Sequence, residues 1–209
     1  MADRLFNFTS GGTTSELRGR SFRGAESLGR PYRFEVEVYT EGSLLDLDAL
    51  LGKPATLEIL KLRPVSGGAA VLPLPVHGIV SEASLVERKV GRTYLYRLTL
   101  VPRLWRLSRQ KRIQVFLDKS TTDILQDVLS QSGLAEADFE FRTTSREYPK
   151  REYTVQYQET DLDFFHRLCE HEGIAYFFQQ GESQEKLILT DSSEFQEVAG
   201  DSEISFRPD

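Results

Sequence analysis

The chain has little of the chemistry that cysteine and histidine supply, with one cysteine, Cys169, and three histidines among 209 residues. A single cysteine excludes an intramolecular disulfide framework, and a reducing compartment is the simplest setting for such a chain. The length suffices for one large domain or two small ones, each with a core that needs no covalent cross-link.

Excess positive charge and long apolar runs are also lacking. The 26 basic and 32 acidic residues give a net charge of −6, which provides no long-range attraction for phosphate backbones or anionic lipid. No apolar stretch approaches the roughly 20 residues that span a bilayer, and the start of the chain lacks a signal-peptide pattern. We therefore expect no nucleic-acid partner, no membrane insertion by this segment, and synthesis in the cytoplasm.

Alternation with a period of two dominates the first half of the chain. Tyr32, Phe34, Val36 and Val38 fall on one face of a strand and are separated by polar residues. The same pattern appears in Ala55–Ile59 and in Thr93–Val101. It also places Ile79, Ala83 and Leu85 on one face of a further strand.

Turn signals separate these strands. Residues 87–92 contain Gly91 and predict a hairpin, whereas residues 63–68 predict a flexible polar break. The basic run Arg103, Arg106, Arg109, Lys111 and Arg112 is predicted to be a solvated connector. Several antiparallel strands joined by short turns indicate a barrel or sandwich.

Helical periodicity appears in the second half. Ser120 and Asp123 form a capping pair before the apolar residues Ile124, Leu125, Val128 and Leu129, and Gly133 follows as a stop. A second helix begins at Thr160 and Asp163, buries Leu162, Phe165, Leu168 and Cys169, and ends at Gly173.

Strands surround these two helices. Tyr153–Tyr157 alternates as a strand, and residues 174–178 and 187–190 form a hairpin around Gly181. The sequence thus predicts a β-rich α+β fold. An antiparallel β-barrel domain over residues 1–108 precedes a small α+β module over residues 109–209, which could continue into a second barrel in a longer chain.

The candidate metal or catalytic cluster is His166, Cys169, Glu170 and His171. Positions five apart on a helix are turned by about 140°, so His166 and His171 do not face one ion. Cys169 lies in line with Leu162 and Phe165, which indicates a core side chain. We expect no metal, no cofactor and no catalytic residue here.

Other chemical signals have plainer interpretations. Glu159, Asp161 and Asp163 crowd a helix N-terminus, where negative charge is favoured. His77 lies inside a strand, and Gly11-Gly12 is followed by neither the lysine nor the helix of a phosphate loop. The aromatic runs Phe164-Phe165 and Tyr176-Phe177-Phe178 are more typical of a core or a subunit contact than of a ligand site.

Several segments, read in order, resemble one protein family. The strongest are residues 148–168, Tyr-Pro-Lys-Arg-Glu-Tyr-Thr-Val-Gln-Tyr-Gln-Glu-Thr-Asp-Leu-Asp-Phe-Phe-His-Arg-Leu, and residues 170–178, Glu-His-Glu-Gly-Ile-Ala-Tyr-Phe-Phe. Upstream segments are Leu51–Ala55, Val76–Val80 and Leu98–Leu107. In order and spacing they are similar to the N-terminal hub region of the VgrG spike family of bacterial type VI secretion.

The resemblance implies a phage tail hub-like fold that trimerises and joins a hexameric tube to the spike of a contractile injection machine. Baseplate proteins, a needle or tip protein, and effectors would be its partners. The machine would be assembled in the bacterial cytoplasm, and the hub would be translocated outward without a cleaved signal peptide. The family continues into further hub domains and a needle, and this chain shows no needle repeat.

Two other functions stay open. An effector- or glycan-binding β adaptor is the main alternative, because aromatic-rich β modules often bind such partners. A zinc-dependent hydrolase using His166, Cys169 and Glu170 is a third hypothesis. Fragment, reduced hub and separate hub protein all remain compatible with the sequence.

Overall fold

The computed structural model describes residues 6–65, 68–144 and 146–192. Six strands form one antiparallel sheet in the order β1-β4-β5-β6-β3-β2. The strands are β1 Phe6–Ser10, β2 Arg18–Ser27, β3 Arg30–Glu41, β4 Pro54–Val65, β5 Gly68–Lys89 and β6 Thr93–Val101. A one-turn helix, α1 Leu47–Leu50, follows β3.

The sheet curves until its two edge strands approach each other. Phe6 of β1 contacts Phe22 of β2 edge-on, with 5.0 Å between ring centroids. Gly19 of β2 permits this approach, because a Cβ there would lie 2.4 Å from the Phe6 ring. The predicted antiparallel barrel is thus confirmed as a half-barrel. Its buried interior includes Phe8, Tyr32, Phe34, Val36, Val38, Leu57, Val76, Val80, Tyr96, Leu98 and Leu100.

The alternation prediction for β5 is wrong in one detail. Val80, rather than Ile79, belongs to the half-barrel core together with Ala83 and Leu85. The pairing of β5 with β6 shifts between Val80 and Glu82, so an extra residue reverses which positions face inward. Ile79 is also buried, outside that cluster.

The predicted break at residues 63–68 is also wrong in part. Strand β4 continues through Arg63 to Val65, and β5 resumes at Gly68, with Val65 paired to Gly68. Only Ser66 and Gly67 of the predicted break lie outside the described residues.

The two predicted helices are confirmed as α2 Thr121–Gln131 and α3 Asp161–Glu172. Each has a capping box, Ser120 with Asp123 and Thr160 with Asp163, which satisfies backbone amides at the helix start. No helix within the described residues has the length and apolar character needed to cross a bilayer.

Gly173 ends α3 in the left-handed region at φ 68°. Replacing Gly173 by alanine is expected to lower the free energy of unfolding by about 1 kcal/mol, because a Cβ is strained in that conformation. Urea unfolding measures the change. Gly11→Ala is the control, because its added Cβ would make only ordinary contacts, the nearest 3.6 Å away. Equal losses in both variants would contradict the account.

The second half of the chain packs strands around α2 and α3. Strand β7 Lys111–Lys119 pairs with β9 Arg151–Thr160, which contains the predicted strand Tyr153–Tyr157. The predicted hairpin is confirmed as β10 Ala175–Gln180 and β11 Glu185–Thr190, and β8 Phe139–Arg142 pairs parallel to β11. A second buried cluster has members between Leu104 and Leu189. The predicted domain boundary at residue 108 stays a prediction.

The basic run is solvated only in part, at Arg109 and Lys111, and it lies in regular structure rather than in a connector. Arg103–Arg109 forms a 3-10 helix that buries Leu104 and Leu107, and Lys111 and Arg112 begin β7. A second 3-10 helix, Glu136–Asp138, precedes β8.

Candidate functional site: junction and assembly surface

The residues of the candidate metal cluster point to different partners. His166 Nε2 lies 2.7 Å from the Tyr176 hydroxyl, and the two rings stack. Cys169 is buried in the core, whereas His171 is exposed beside Glu172. Burial, with a smaller contribution from Arg30, lowers the pKa of His166. Among the described residues, no three His, Cys, Asp or Glu side chains converge as metal ligands would.

Burial also makes Cys169 a poor nucleophile, because it raises the pKa of the thiol to about 12. At pH 8 only on the order of 10⁻⁴ of the thiol is then ionised, and the thiolate is the reactive form. We expect iodoacetamide to alkylate Cys169 at least 100-fold more slowly in the folded protein than in urea. Mass spectrometry of quenched samples measures both rates, and equal rates would contradict the burial.

The acidic group at the start of α3 is structural. Asp163 accepts from the Thr160 amide and hydroxyl in the capping box. Asp161 is buried, pairs with Arg112 at 2.9 Å and accepts from Gln156 Nε2 at 2.9 Å. Glu159 pairs with Arg167. These carboxylates hold α3 to β7 and β9. The sequence predicted only that negative charge is favoured at the start of the helix, so the ion pair of Asp161 with Arg112 is an additional role.

The glycine pair and the aromatic runs singled out in the sequence also have structural roles. A Cβ at Gly12 would lie 2.5 Å from Ala49 O, so this glycine allows a loop to pass close to α1. Phe164, Phe165 and Tyr176 are buried in the second core, as the sequence predicts for core aromatics.

The β10–β11 hairpin joins the two halves of the molecule. Gly29, in the β2–β3 turn, donates from its amide to Tyr176 O at 2.9 Å. Phe178 packs edge-on against Tyr32 of β3, with 5.0 Å between ring centroids. The Tyr32 hydroxyl donates to the His77 carbonyl. The hairpin therefore contacts the half-barrel through both backbone and aromatic groups.

His77 lies at the centre of this junction. Its amide donates to Gln180 Oε1 at 2.9 Å, and its Nε2 lies 3.0 Å from Gly181 O. Because a carbonyl only accepts, Nε2 carries the hydrogen there. Nδ1, 3.0 Å from Thr56 Oγ1, then accepts from that hydroxyl when the ring is neutral. His77 thus links β4, β5 and the β10–β11 turn, a role that its position in a strand did not reveal.

A buried ion group completes the junction. Arg103 pairs with Asp138 at 2.7 Å and with Glu185 at 3.1 Å, and all three side chains are largely shielded from solvent. The Arg103 amide also donates to Glu185 Oε1 at 2.8 Å. The group fixes the 3-10 helix after β6 against β11 and against the residue before β8.

A contiguous apolar surface lies on the outward side of β7 and β9, which we call the β7–β9 face. It consists of three directly paired couples: Ile113 with Tyr157, Val115 with Val155, and Leu117 with Tyr153. Between 38% and 65% of each residue is accessible to solvent. Sequence reasoning found the β9 half but missed β7, although Ile113, Val115 and Leu117 alternate visibly in the sequence.

The arrangement defines a class of protein. The half-barrel contacts the α+β module through the β10–β11 hairpin, His77 and the Arg103 group, and the six residues of the β7–β9 face are exposed. These are features of a structural building block. The family comparison agrees, because residues 25–209 match the model of the phage tail baseplate hub, and the chain belongs to that family.

Curated relatives of the chain include spike proteins of type VI secretion. The chain is 39% identical to the spike protein VgrG1b of Pseudomonas aeruginosa, in an alignment that covers 84% of this chain. It is 36% identical to VgrG4b of the same species, in an alignment that covers 89% of this chain. It is 32% identical to the actin cross-linking toxin VgrG1 of Vibrio cholerae over 84%. The chain spans 22% of the length of each Pseudomonas protein and 16% of the Vibrio protein.

Solved structures share the fold. An Escherichia coli component of the type VI secretion system, described as similar to the T4 tail proteins gp27 and gp5, superimposes with a TM-score of 0.77 at 22% identity. The match covers 90% of this chain and 49% of that one. A prophage MuSo2 tail protein from Shewanella oneidensis gives a TM-score of 0.55 at 14% identity, covering 90% and 56%. The family match thus places the chain among the phage tail baseplate hub proteins, and these solved structures share its fold.

Proposed function

We propose that this chain is a hub module that trimerises and joins a hexameric tube to the spike of a type VI secretion-like machine. The match to the baseplate hub family over residues 25–209 carries this proposal. The partners are the tube protein, baseplate proteins, a needle or tip protein, and effectors. The VgrG protein of the Francisella PdpA–VgrG complex shares this fold and is bound to a second protein, which supports the proposal that this hub takes partners.

The physical basis of the role is rigidity. A part that joins two symmetric assemblies must keep its surfaces in fixed relative positions under load. The Arg103, Asp138 and Glu185 group and the His77 contacts fix the half-barrel against the α+β module. Side chains used in this way are not available as nucleophiles or bases, and we propose that the module catalyses no reaction. Toxin activity of a longer relative then belongs to parts outside the matched region.

The proposed location follows from the role. The hub is assembled in the bacterial cytoplasm and is carried outward with the spike when the machine contracts. Fractionation of cells before and after contraction tests this. Chain found only in the cytoplasmic fraction of actively secreting cells would contradict it.

A pull-down from native lysate tests the proposed function. The tagged chain should retain tube and spike proteins above all others, and mass spectrometry of the eluate identifies them. Effectors or glycans without tube subunits would instead favour the adaptor function. Light scattering during size-exclusion chromatography gives the stoichiometry, for which we expect three chains per particle.

A further inference from the structure

A groove runs along the outward side of strands β1, β4 and β5, beside the turn between β10 and β11. It has two lobes of about 330 and 670 Å³, which meet at four residues that line both: Thr9, Thr56, His77 and Ser183. On β5 the lining extends from Ile79 to Pro73, which corresponds to about 20 Å of strand. Each lobe lies within the volume range of pockets that hold ligands.

The floor of the groove consists of residues that pair directly across three strands. Thr9 of β1 pairs with Thr56 of β4, and Thr56 pairs with His77 of β5. A second row lies two residues further along each strand: Asn7, Glu58 and Pro75. The two rows are about 7 Å apart, which is also the repeat of side chains on one side of an extended chain. The floor therefore offers hydroxyl, amide and carboxylate groups at the spacing of an extended peptide.

The turn between β10 and β11 forms a fixed wall of this groove. The Gly181 amide donates to Gln184 O at 3.0 Å, and the His77 ring donates to Gly181 O at 3.0 Å. A Cβ at Gly181 would lie 2.9 Å from Gln184 O, so the turn is tight. Because the wall is already held in place, little ordering is needed when a ligand binds beside it.

The two lobes differ in charge. Among the described residues that line the larger lobe, Glu58 and Glu182 carry carboxylates, and none is a lysine or an arginine. The smaller lobe is lined by Arg103 and Glu185, which pair with each other, and by Arg106. The side chain of Arg106 forms no ion pair with any residue that the structure describes. A ligand is therefore favoured if it places positive charge in the larger lobe and negative charge in the smaller one.

We propose that the groove beside the β10–β11 turn binds an extended peptide segment of a partner protein, a role beyond the hub function and independent of it. A basic side chain of the segment lies in the larger lobe, near Glu58 and Glu182, and an acidic side chain lies near Arg106. A groove of about 20 Å accommodates roughly six extended residues. Thr9 and Ser183 are exposed where the lobes meet, so a continuous chain can pass from one lobe to the other.

Selection from a phage-displayed library of eight-residue peptides, with the purified chain as bait, tests the proposal. Enriched peptides should carry a basic and an acidic residue separated by several positions. Fluorescence anisotropy of a labelled selected peptide measures its dissociation constant at low ionic strength, where charge interactions are least screened. A selection that enriches no peptide with both charges would overturn the proposal.

Charge reversal at Glu182 tests where the basic residue of the peptide lies. Glu182→Lys should weaken binding about tenfold, because it replaces an attraction with a repulsion. A peptide with glutamate in place of its basic residue should bind this variant more tightly than the selected peptide does. Glu147→Lys is the matched control, because it makes the same charge change at an exposed residue outside the groove and should leave the dissociation constant unchanged.

A steric block tests the groove without relying on charge. Thr9→Trp places a large side chain on the floor where the two lobes meet, and it should abolish binding of every selected peptide. Thr9 is exposed, so the fold should be retained, and circular dichroism verifies this. Peptides that bind Glu182→Lys and Thr9→Trp as tightly as they bind the unchanged chain would place the binding site elsewhere and overturn the proposal.

Discussion

Arg103→Met is expected to lower the free energy of unfolding by about 3–5 kcal/mol, because it removes one partner from a buried ion group. Asp138 and Glu185 would remain largely shielded from solvent without their cation. The backbone contact of Glu185 with the Arg103 amide cannot replace the guanidinium. Urea unfolding followed by the fluorescence of Trp105, the only tryptophan of the chain, measures the loss. Protein concentration is held fixed, since association stabilises the folded state.

Arg33→Met is the matched control for this prediction. Arg33 also pairs with a carboxylate, Glu82 at 2.9 Å, but both side chains are about half exposed or more. Exposed pairs contribute at most about 1 kcal/mol, so the loss should be several-fold smaller. Similar losses in the two variants would show that the Arg103 group does not fix the junction.

Phe164→Ala should cost about 3–5 kcal/mol of unfolding free energy, since it empties a fully buried aromatic site. Phe164 stacks on Phe116 with 5.6 Å between ring centroids, and the Arg167 guanidinium lies 5.0 Å from its ring centroid. The residue therefore holds α3 against β7, beneath the β7–β9 face. The same urea titration measures the effect.

Phe164→Leu provides the comparison, because leucine keeps most of the apolar volume and should lose less than half as much. A loss below about 1 kcal/mol for Phe164→Ala would contradict the packing described for this core.

Local signals in the sequence predicted much of the fold. The capping pairs Ser120 with Asp123 and Thr160 with Asp163, together with Gly173, mark the ends of α2 and α3 correctly. Such signals are reliable because the interacting groups lie within one turn of each other. The alternation of Phe34, Val36 and Val38 similarly predicted β3, which has one side in the half-barrel core.

Features that depend on long-range contacts were missed. Arg103 looks like part of a solvated basic run until Asp138 and Glu185, distant in sequence, are brought beside it. The sequence predicted Ile79 in the half-barrel core, but Val80 lies there instead. The cause is a bulge, which depends on how β5 pairs with β6 and cannot be read from β5 alone. The junction role of His77 depends on Gln180 and Gly181, about a hundred residues away. The β7–β9 face became visible only when β7 was paired with β9.

Electron microscopy of the purified chain mixed with the tube protein of its own system tests the central claim most directly. The account predicts particles with threefold symmetry bound at one end of each tube. Single chains that leave every tube end bare, at concentrations where the tubes themselves are intact, would contradict the assignment of this chain as a hub.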